Sequence, residues 1–366
     1  MTNDTLDPTS FRMPAEWEPQ EAVWLQWPDE RMRPAPGYQA KLEWIWIAMT
    51  RAMQPHVTLR IVVGDELQRD HVARQLRQFG VEDRNIELHV HSIDDVWMRD
   101  NGPIFVTDDK GRIAVTDWNF NGYGGEIPSW KNDAAIPATL AGTLDMPCFT
   151  TPVTIEGGAV EVNGTGTFMA TESSVLNPNR NPGLTREAVE QGLAQYLGVS
   201  NFIWLAGAPK EACSAFGDGT DWHIDIAARF APSGAALYCW SEDTSDPRTP
   251  YLKQHRDTLE AASDERGRKL DCVALPQPMI QSVSTVDFGS GQHPPGALTD
   301  GAYTNYLVTN GLVLLPVYGR PEDDTVRAIM AEHFPGREIV GLPTLTLTEE
   351  GGAIHCVTQH QPAAKL

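Results

Sequence analysis

Near the end of the chain one thiol, Cys356, follows a glycine pair in the run Gly351-Gly352-Ala353-Ile354-His355-Cys356. Glycine lets backbone approach a substrate closely, and a cysteine whose surroundings favour its thiolate is a strong nucleophile near neutral pH. The run reads as a nucleophile on a strand entered from a tight turn. Taken alone it reads more readily as a small buried thiol, so its meaning depends on three other segments that gather ionisable residues among glycines.

The first is Asp94-Asp95-Val96-Trp97-Met98-Arg99-Asp100-Asn101-Gly102-Pro103, where carboxylates and an aromatic ring at a strand end make a cation site or, more plainly, a salt-bridged loop. The second is Ile155-Glu156-Gly157-Gly158-Ala159, whose glutamate is either a turn former or an orienting partner for a histidine. The third is Asp218-Gly219-Thr220-Asp221-Trp222-His223-Ile224-Asp225. On a strand, period-two geometry sends His223 and Asp225 to one face. Together the four segments suit one reaction, attack of a thiolate on a guanidinium carbon. Two buried carboxylates can grip the planar cation by its N–H edges, and its charge offsets the cost of holding them together. A histidine oriented by a further carboxylate can protonate the departing nitrogen and then deprotonate water.

These segments sit among short apolar β-like runs alternating with amphipathic helical stretches, with no linker or low-complexity tract, so a single domain over residues 1–366 with a core near 13–362 is expected. Strands are expected at Ala22 to Trp27, Val57 to Val63, Ile86 to Ile93, Ile224 to Phe230, Tyr306 to Leu315 and Ile354 to Gln359, among others. Helices are expected at Leu42 to Met53, Glu66 to Phe79, Thr185 to Leu197, Leu252 to Arg268 and Thr325 to Phe334. No strand is followed by a glycine-rich nucleotide loop.

The 366 residues carry a net charge of −21, which argues against a nucleic-acid partner and favours a cationic ligand. The five cysteines (Cys148, Cys213, Cys239, Cys272, Cys356) form no CxxC pair, which fits a reducing compartment, and the four besides Cys356 read as structural thiols. The polar start of the chain lacks the pattern of a secretory signal, and no run is long enough to span a membrane, so a cytoplasmic location is expected.

The segments IDDVWMRDNGP, WNFNGYGG, IEGGAVEVNGTGTFMATESSVLNPNRNP, TDWHIDIAARF and GGAIHCVTQHQP, with MPAEWEPQEAVWLQWP near the start, closely resemble the agmatine deiminase and bacterial peptidylarginine deiminase family of guanidine-modifying enzymes, from about Met13 to Pro362. The resemblance implies an α/β fold, a five-bladed pseudo-symmetric propeller of ββαβ modules with the active site at its centre and neither a metal nor an organic cofactor. It implies Cys356 as nucleophile, His223 as general acid/base, Asp100 and Asp225 as guanidinium-binding carboxylates and Glu156 as the glutamate near the histidine. Trp97 matches a residue lining the substrate channel, and Asp94 is a further candidate there. The implied reaction is hydrolysis of agmatine to N-carbamoylputrescine and ammonia through a covalent S-alkylthiouronium intermediate, and dimers are common in the family, so a homodimer is an expectation.

This chain departs from the family pattern at Gly219, where agmatine deiminases usually carry an acidic residue, and at Trp222, where a small or polar residue is common. Asp218 and Trp222 are therefore the candidates for meeting the far end of the substrate, and another small guanidine, such as free, modified or peptidyl arginine, is the alternative. A metal hydrolase using His223, Asp225 and Asp221 with His91 or His355, and an inactive cation-binding module, are the readings from other classes.

Overall fold

The computed structural model describes residues 6–32, 37–283 and 296–364. Among them, one strand order recurs five times. In each case an antiparallel pair is followed by a helix and a strand that returns in parallel, the connection a βα crossover demands. One module pairs Ile104–Asp108 with Ile113–Asp117 and returns through the helix Ile136–Thr143 to Cys148–Thr150. The next runs Glu161–Val162, Thr167–Thr171, helix Arg186–Leu197 and Asn201–Leu205. Then follow Ala228–Phe230, Ala235–Trp240, helix Thr249–Ala261 and Asp271–Pro276. Leu307–Thr309, Leu312–Val317, helix Glu322–His333 and Glu338–Pro343 complete the fourth.

The fifth module joins the two ends of the chain. Thr358–Pro362 pairs antiparallel with Gln20–Gln26, which continues in parallel to Thr58–Val63 and Ile86–Val90 across the helices Tyr38–Met53 and Glu66–Gln78. Central strands are buried on both faces, as the apolar run Leu312 to Leu315 shows, because helices cover them. Local signals start and stop the helices. Asp65 accepts from the Gln68 N–H at 2.8 Å, and Gly198 closes the helix Arg186–Leu197 at φ 67°.

The expected elements are largely found, with informative differences. The stretch 306–315 is a hairpin turning at Asn310-Gly311 and not one strand, because Gly311 takes φ 68°. The helix expected to reach Arg268 ends at Ala261. The stretches 224–230 and 354–359 begin as turns: Ile224–Ile226 is a 3-10 helix and pairing starts only at Ala228 and at Thr358. Cys356 and His223 therefore precede their strands instead of lying on them. An apolar run before a strand has the same composition as the strand itself, so sequence alone extends the strand too far. The proline pair 294–295, whose composition marks a connection between elements, lies outside the described residues, as do residues 1–5.

The two chain ends are also tied by side chains. Gln361 accepts from Trp24 Nε1 at 2.9 Å and from Arg60 Nη1 at 2.7 Å, all three being buried. Replacing Gln361 with Ala leaves both donors without that acceptor and should destabilise the fold by about 1–3 kcal/mol. Urea unfolding of Q361A against the parent checks this, through a lower midpoint at unchanged slope.

Candidate active site

The chemistry-bearing residues occupy equivalent places, the short turn just ahead of the first strand of each module. Asp100 lies in the helical turn Met98–Asn101 before Ile104, and Glu156 precedes the 3-10 turn Gly157–Ala159 before Glu161. His223 and Asp225 lie at the 3-10 turn before Ala228, Asn305 precedes Leu307, and Cys356 precedes Thr358. Five segments spread over some 260 positions of sequence thus meet in one buried centre, each of Cys356, His223, Asp100, Asp225 and Glu156 being no more than 5% exposed.

Gly158 shows how tightly they meet. A Cβ placed there would stand 2.6 Å from both Asp100 Oδ1 and His223 Nδ1 and 3.1 Å from Asp225 Oδ2. Only the absence of a side chain lets its N–H donate to Asp100 Oδ1 at 2.9 Å. Tyr123 OH donates to the other oxygen, Oδ2, at 2.8 Å. Burial raises the Asp100 carboxyl to about 6, with Asp225 and Glu156 pushing the same way and the His223 cation opposing them.

His223 stands between carboxylates, with Nδ1 3.6 Å from Asp100 Oδ1 and Nε2 3.4 Å from Glu156 Oε2. Burial disfavours its cation, but Asp100 and Glu156 outweigh burial and lift the pKa to about 9. Glu156 keeps its charge against burial because Arg180 donates to Oε1 at 2.9 Å, and with His223 this brings the carboxyl down to about 2. Arg180 is shared with Asp221. Nδ1 of His223 is buried and, beyond the Asp100 contact at 3.6 Å, has no hydrogen-bond partner.

Asp225 Oδ2 lies 3.7 Å from Cys356 Sγ and 2.8 Å from His355 Nδ1, while Oδ1 is buried without a partner. The other nitrogen of His355 meets Glu16 Oε2 at 2.9 Å. Burial and the charges of Arg229 and Arg99 push this imidazolium's pKa down, whereas both ring nitrogens face oxygens that only accept, which is the geometry of the cation. Glu16 also receives Arg229 Nη2 at 2.9 Å and the Val308 N–H at 2.7 Å. Its carboxyl lies well below the usual range, burial being overcome first by Arg229. Behind the reactive centre, then, lies a buried network that also reaches Arg99 and His360.

The thiol of Cys356 is pushed well above its usual range by burial and by the charges of Asp225 and Asp100. Asn305 works against that. Its Nδ2 donates to Sγ at 3.0 Å, and its Oδ1 accepts from the N–H groups of His355 at 3.0 Å and Cys356 at 3.3 Å. Trp97 is half-buried beside the same turn, since a Cβ on Gly352 would come within 2.6 Å of Trp97 Cζ3 and 3.2 Å of Cys356 Sγ.

Three other candidates lie elsewhere. Asp94 accepts from Ser129 Oγ at 2.7 Å, Asn132 N at 2.7 Å and Asn132 Nδ2 at 2.9 Å, so it clamps a loop. Trp222 is 2% exposed and packs edge-on against Phe216, Tyr251 and His255. The reason is its backbone: Asp221 and Trp222 take φ 61° and 64°, left-handed values costly for such residues, which rotate the ring into the core while His223 turns inward. Asp218 holds that turn by accepting from Trp222 N and from the N–H and hydroxyl of Thr220. Among the described residues, no group of three or more His, Cys, Asp or Glu is placed to hold a metal ion. Of the remaining thiols Cys213 and Cys239 are buried as expected, whereas Cys148 is exposed.

The sequence matches the Porphyromonas-type peptidyl-arginine deiminases over residues 12–362. The chain belongs to that family. Among relatives of this deiminase family, agmatine deiminases of Pseudomonas aeruginosa and Pseudomonas putida are each 34% identical, the first aligned across the whole of both chains and the second across 99% of this chain and 98% of its own. The structure of agmatine deiminase of Enterococcus faecalis superposes with a TM-score of 0.88 at 30% identity, covering 99% of each chain.

Sequence reasoning did not single out Asn305, Tyr123, Glu16 or Arg180. The last three stand inside segments that carry the family resemblance, WNFNGYGG, MPAEWEPQ and LNPNRNP, and Asn305 has only its place before an apolar β run. Removing the Asn305 donor should disfavour the Cys356 thiolate, a charge-assisted hydrogen bond contributing about 1.5–3 kcal/mol. N305A should therefore be alkylated at Cys356 by a haloacetamidine roughly tenfold or more slowly at neutral pH, as mass spectrometry of the peptide ending the chain can follow, with Cys148 as the internal reference.

Proposed function

We propose that the protein hydrolyses agmatine to N-carbamoylputrescine and ammonia, with Cys356 as nucleophile. The observation that carries the reading is the opposition of the Cys356 sulfur to a buried carboxylate pair, Asp100 and Asp225, with His223 beside them. The full-length similarity to agmatine deiminases supports the substrate.

A guanidinium entering between Asp100 and Asp225 supplies the positive charge this pocket lacks. The free oxygen of Asp225 and the oxygens of Asp100 accept its N–H groups and hold the planar carbon against Sγ. The same charge reverses the field that keeps the Cys356 proton in place, so substrate binding itself favours the thiolate, whose proton leaves to solvent because His223 is already protonated, and Asn305 stabilises the anion. Sulfur adds to the guanidinium carbon. His223, protonated at Nδ1, gives its proton to one amino nitrogen, and ammonia leaves as the carbon–nitrogen bond breaks, which yields the S-alkylthiouronium. His223, now neutral, takes a proton from water; hydroxide adds to the carbon and the carbon–sulfur bond breaks, releasing the ureide and restoring the thiol. Glu156, held by Arg180, keeps the imidazole oriented through both steps. Trp97 is placed to cover the alkyl chain, whereas the clamp role of Asp94 and the packing of Trp222 leave no such part for them.

This reading extends to the architecture. The repeated strand order supports a pseudo-symmetric propeller in which the five modules are blades and the five pre-strand turns form its hub, residues 13–362 acting as one domain. It extends also to a cytoplasmic setting, supported by five unpaired cysteines.

Ammonia release from agmatine, free arginine and a blocked arginine peptide, compared by kcat/KM, tests the substrate; agmatine should lead, and a preference for the peptide would overturn it. C356A should remain folded and release no ammonia from agmatine. The pH profile of kcat/KM, which reports the free enzyme, should rise through about pH 6 as Asp100 ionises and fall through about pH 9 as His223 loses its proton. Y123F removes a hydrogen bond that favours the Asp100 carboxylate, so its acidic limb should move to higher pH with the alkaline limb in place.

A further inference from the structure

The mechanism leaves one buried imidazole unused. His355, next to the nucleophile, is 1% exposed and stands between two carboxylates, with Nδ1 2.8 Å from Asp225 Oδ2 and Nε2 2.9 Å from Glu16 Oε2. Among the described residues, Nδ1 of His355 is the only nitrogen that meets the Asp225 side chain in a hydrogen bond. Oδ1 of Asp225 has no partner, and Oδ2 has otherwise only the Cys356 thiol at 3.7 Å. A carboxylate held by one oxygen cannot turn freely about its Cβ–Cγ bond, so this ring decides where the other oxygen points.

The ring is itself held from behind. Glu16 receives Arg229 Nη2 at 2.9 Å, Arg99 Nη2 at 3.5 Å and the Val308 N–H at 2.7 Å, and Arg229 passes on to Glu161 at 2.6 Å. Arg99, Glu161, Arg229, Val308 and His355 each sit in, or just ahead of, the first strand of a different module. One carboxylate thus gathers the modules together, and His355 carries that anchorage to Asp225. We propose that His355 is the positioning residue of the guanidinium site: tied through Glu16 to the rest of the fold, it aims the free oxygen of Asp225 at the substrate and keeps that carboxylate in its accepting form. The proposal rests on the deiminase reading and deepens it, because it concerns how the same site grips its substrate. Burial raises the Asp225 carboxyl, and the hydrogen bond and charge of His355, followed by the charges of His223 and Arg229, bring it below the usual range. At His355, burial, Arg229 and Arg99 disfavour the cation, Glu16 and Asp225 favour it, and the neighbouring His360, brought down to about 3 by burial, adds no charge. Asp225 requires only a proton on Nδ1, which the cation and the Nδ1–H tautomer both supply.

The amide nitrogen of an asparagine falls where Nδ1 of a histidine lies, and that of a glutamine where Nε2 lies. H355N therefore keeps the donor to Asp225 and gives up Glu16, whereas H355Q keeps Glu16 and gives up Asp225. H355Q should lower kcat/KM for agmatine at least about tenfold, the loss of one charge-assisted hydrogen bond. Its acidic limb should move to higher pH, because Asp225 without its donor takes up a proton sooner as the pH falls. H355N should leave that limb in place and stay within about threefold of the parent. Equal losses in both variants, or an unmoved acidic limb in H355Q, would overturn the role, since a merely structural histidine lowers the urea midpoint without distinguishing the two amides. Should H355Q not fold, nitrogen NMR of ring-labelled histidine in C356A gives a second readout. Nδ1 of His355 should carry a proton across the active pH range and its signal should shift when agmatine binds; a bare Nδ1, or a signal indifferent to agmatine, removes the proposal. If the parent releases no ammonia from agmatine, the deiminase reading fails by itself. Calorimetric binding of agmatine to C356A, C356A/H355Q and C356A/H355N then still decides the grip, a loss confined to the glutamine variant upholding it and an unselective or absent loss refuting it.

Discussion

The arrangement depends on buried negative charge that the protein answers only in part. Glu16 has Arg229, Glu156 has Arg180, and Asp225 has His355. Asp100 has a phenol, a backbone N–H and an imidazole at 3.6 Å, and its carboxyl is correspondingly the one raised, to about 6. A centre in this state is unfavourable by itself and favourable once a planar cation enters it. The same imbalance acts on the thiol: Asp225 and Asp100 join burial in pushing Cys356 well above its usual range. On the mechanism proposed above, reactivity would be coupled to occupancy, which would protect the thiol from oxidants and stray electrophiles when no substrate is present.

The charges can be concentrated because each is delivered by a separate module. A turn ahead of a strand is anchored on one side by the sheet's hydrogen bonds, so its side chains are held in place while its backbone remains free to adopt unusual conformations. Asp221 and Trp222 use that freedom at positive φ, Gly158 uses it for close approach, and the short 3-10 turns place His223 and Asp225 where a strand would have sent them to one face of a sheet. The join between chain ends, where Thr358–Pro362 pairs with Gln20–Gln26, carries Cys356 into place and brings Glu16 beneath it. Stability of that sheet and geometry of the nucleophile are therefore the same matter.

Much of the site was legible in residue types. A thiol after glycines, an HxD pair, a carboxylate cluster beside a tryptophan and a glutamate before two glycines define a short list of chemistries, and the structure brings Cys356, His223, Asp225, Asp100 and Glu156 together. Less legible were the residues whose part is to answer a charge from another module. Asn305 has no distinguishing local pattern, and Glu16 and Arg180 matter through partners far along the chain. Asp94 and Trp222 were over-read for the complementary reason. A carboxylate beside the right motif can be consumed by a local turn, and a ring beside His223 points wherever the intervening φ directs it.

The amino-acid sequence by itself determined the reaction's ingredients and the alternation of strand and helix, because side-chain chemistry and hydrophobic period are properties of short segments. Which carboxylate is met by an arginine, which is raised by burial and which nitrogen of His223 is left without a hydrogen-bond partner were decided only by the tertiary structure. Those outcomes depend on distances of about 3 Å between residues that come from different modules or lie tens of positions apart, and electrostatic and hydrogen-bond energies change steeply over such distances.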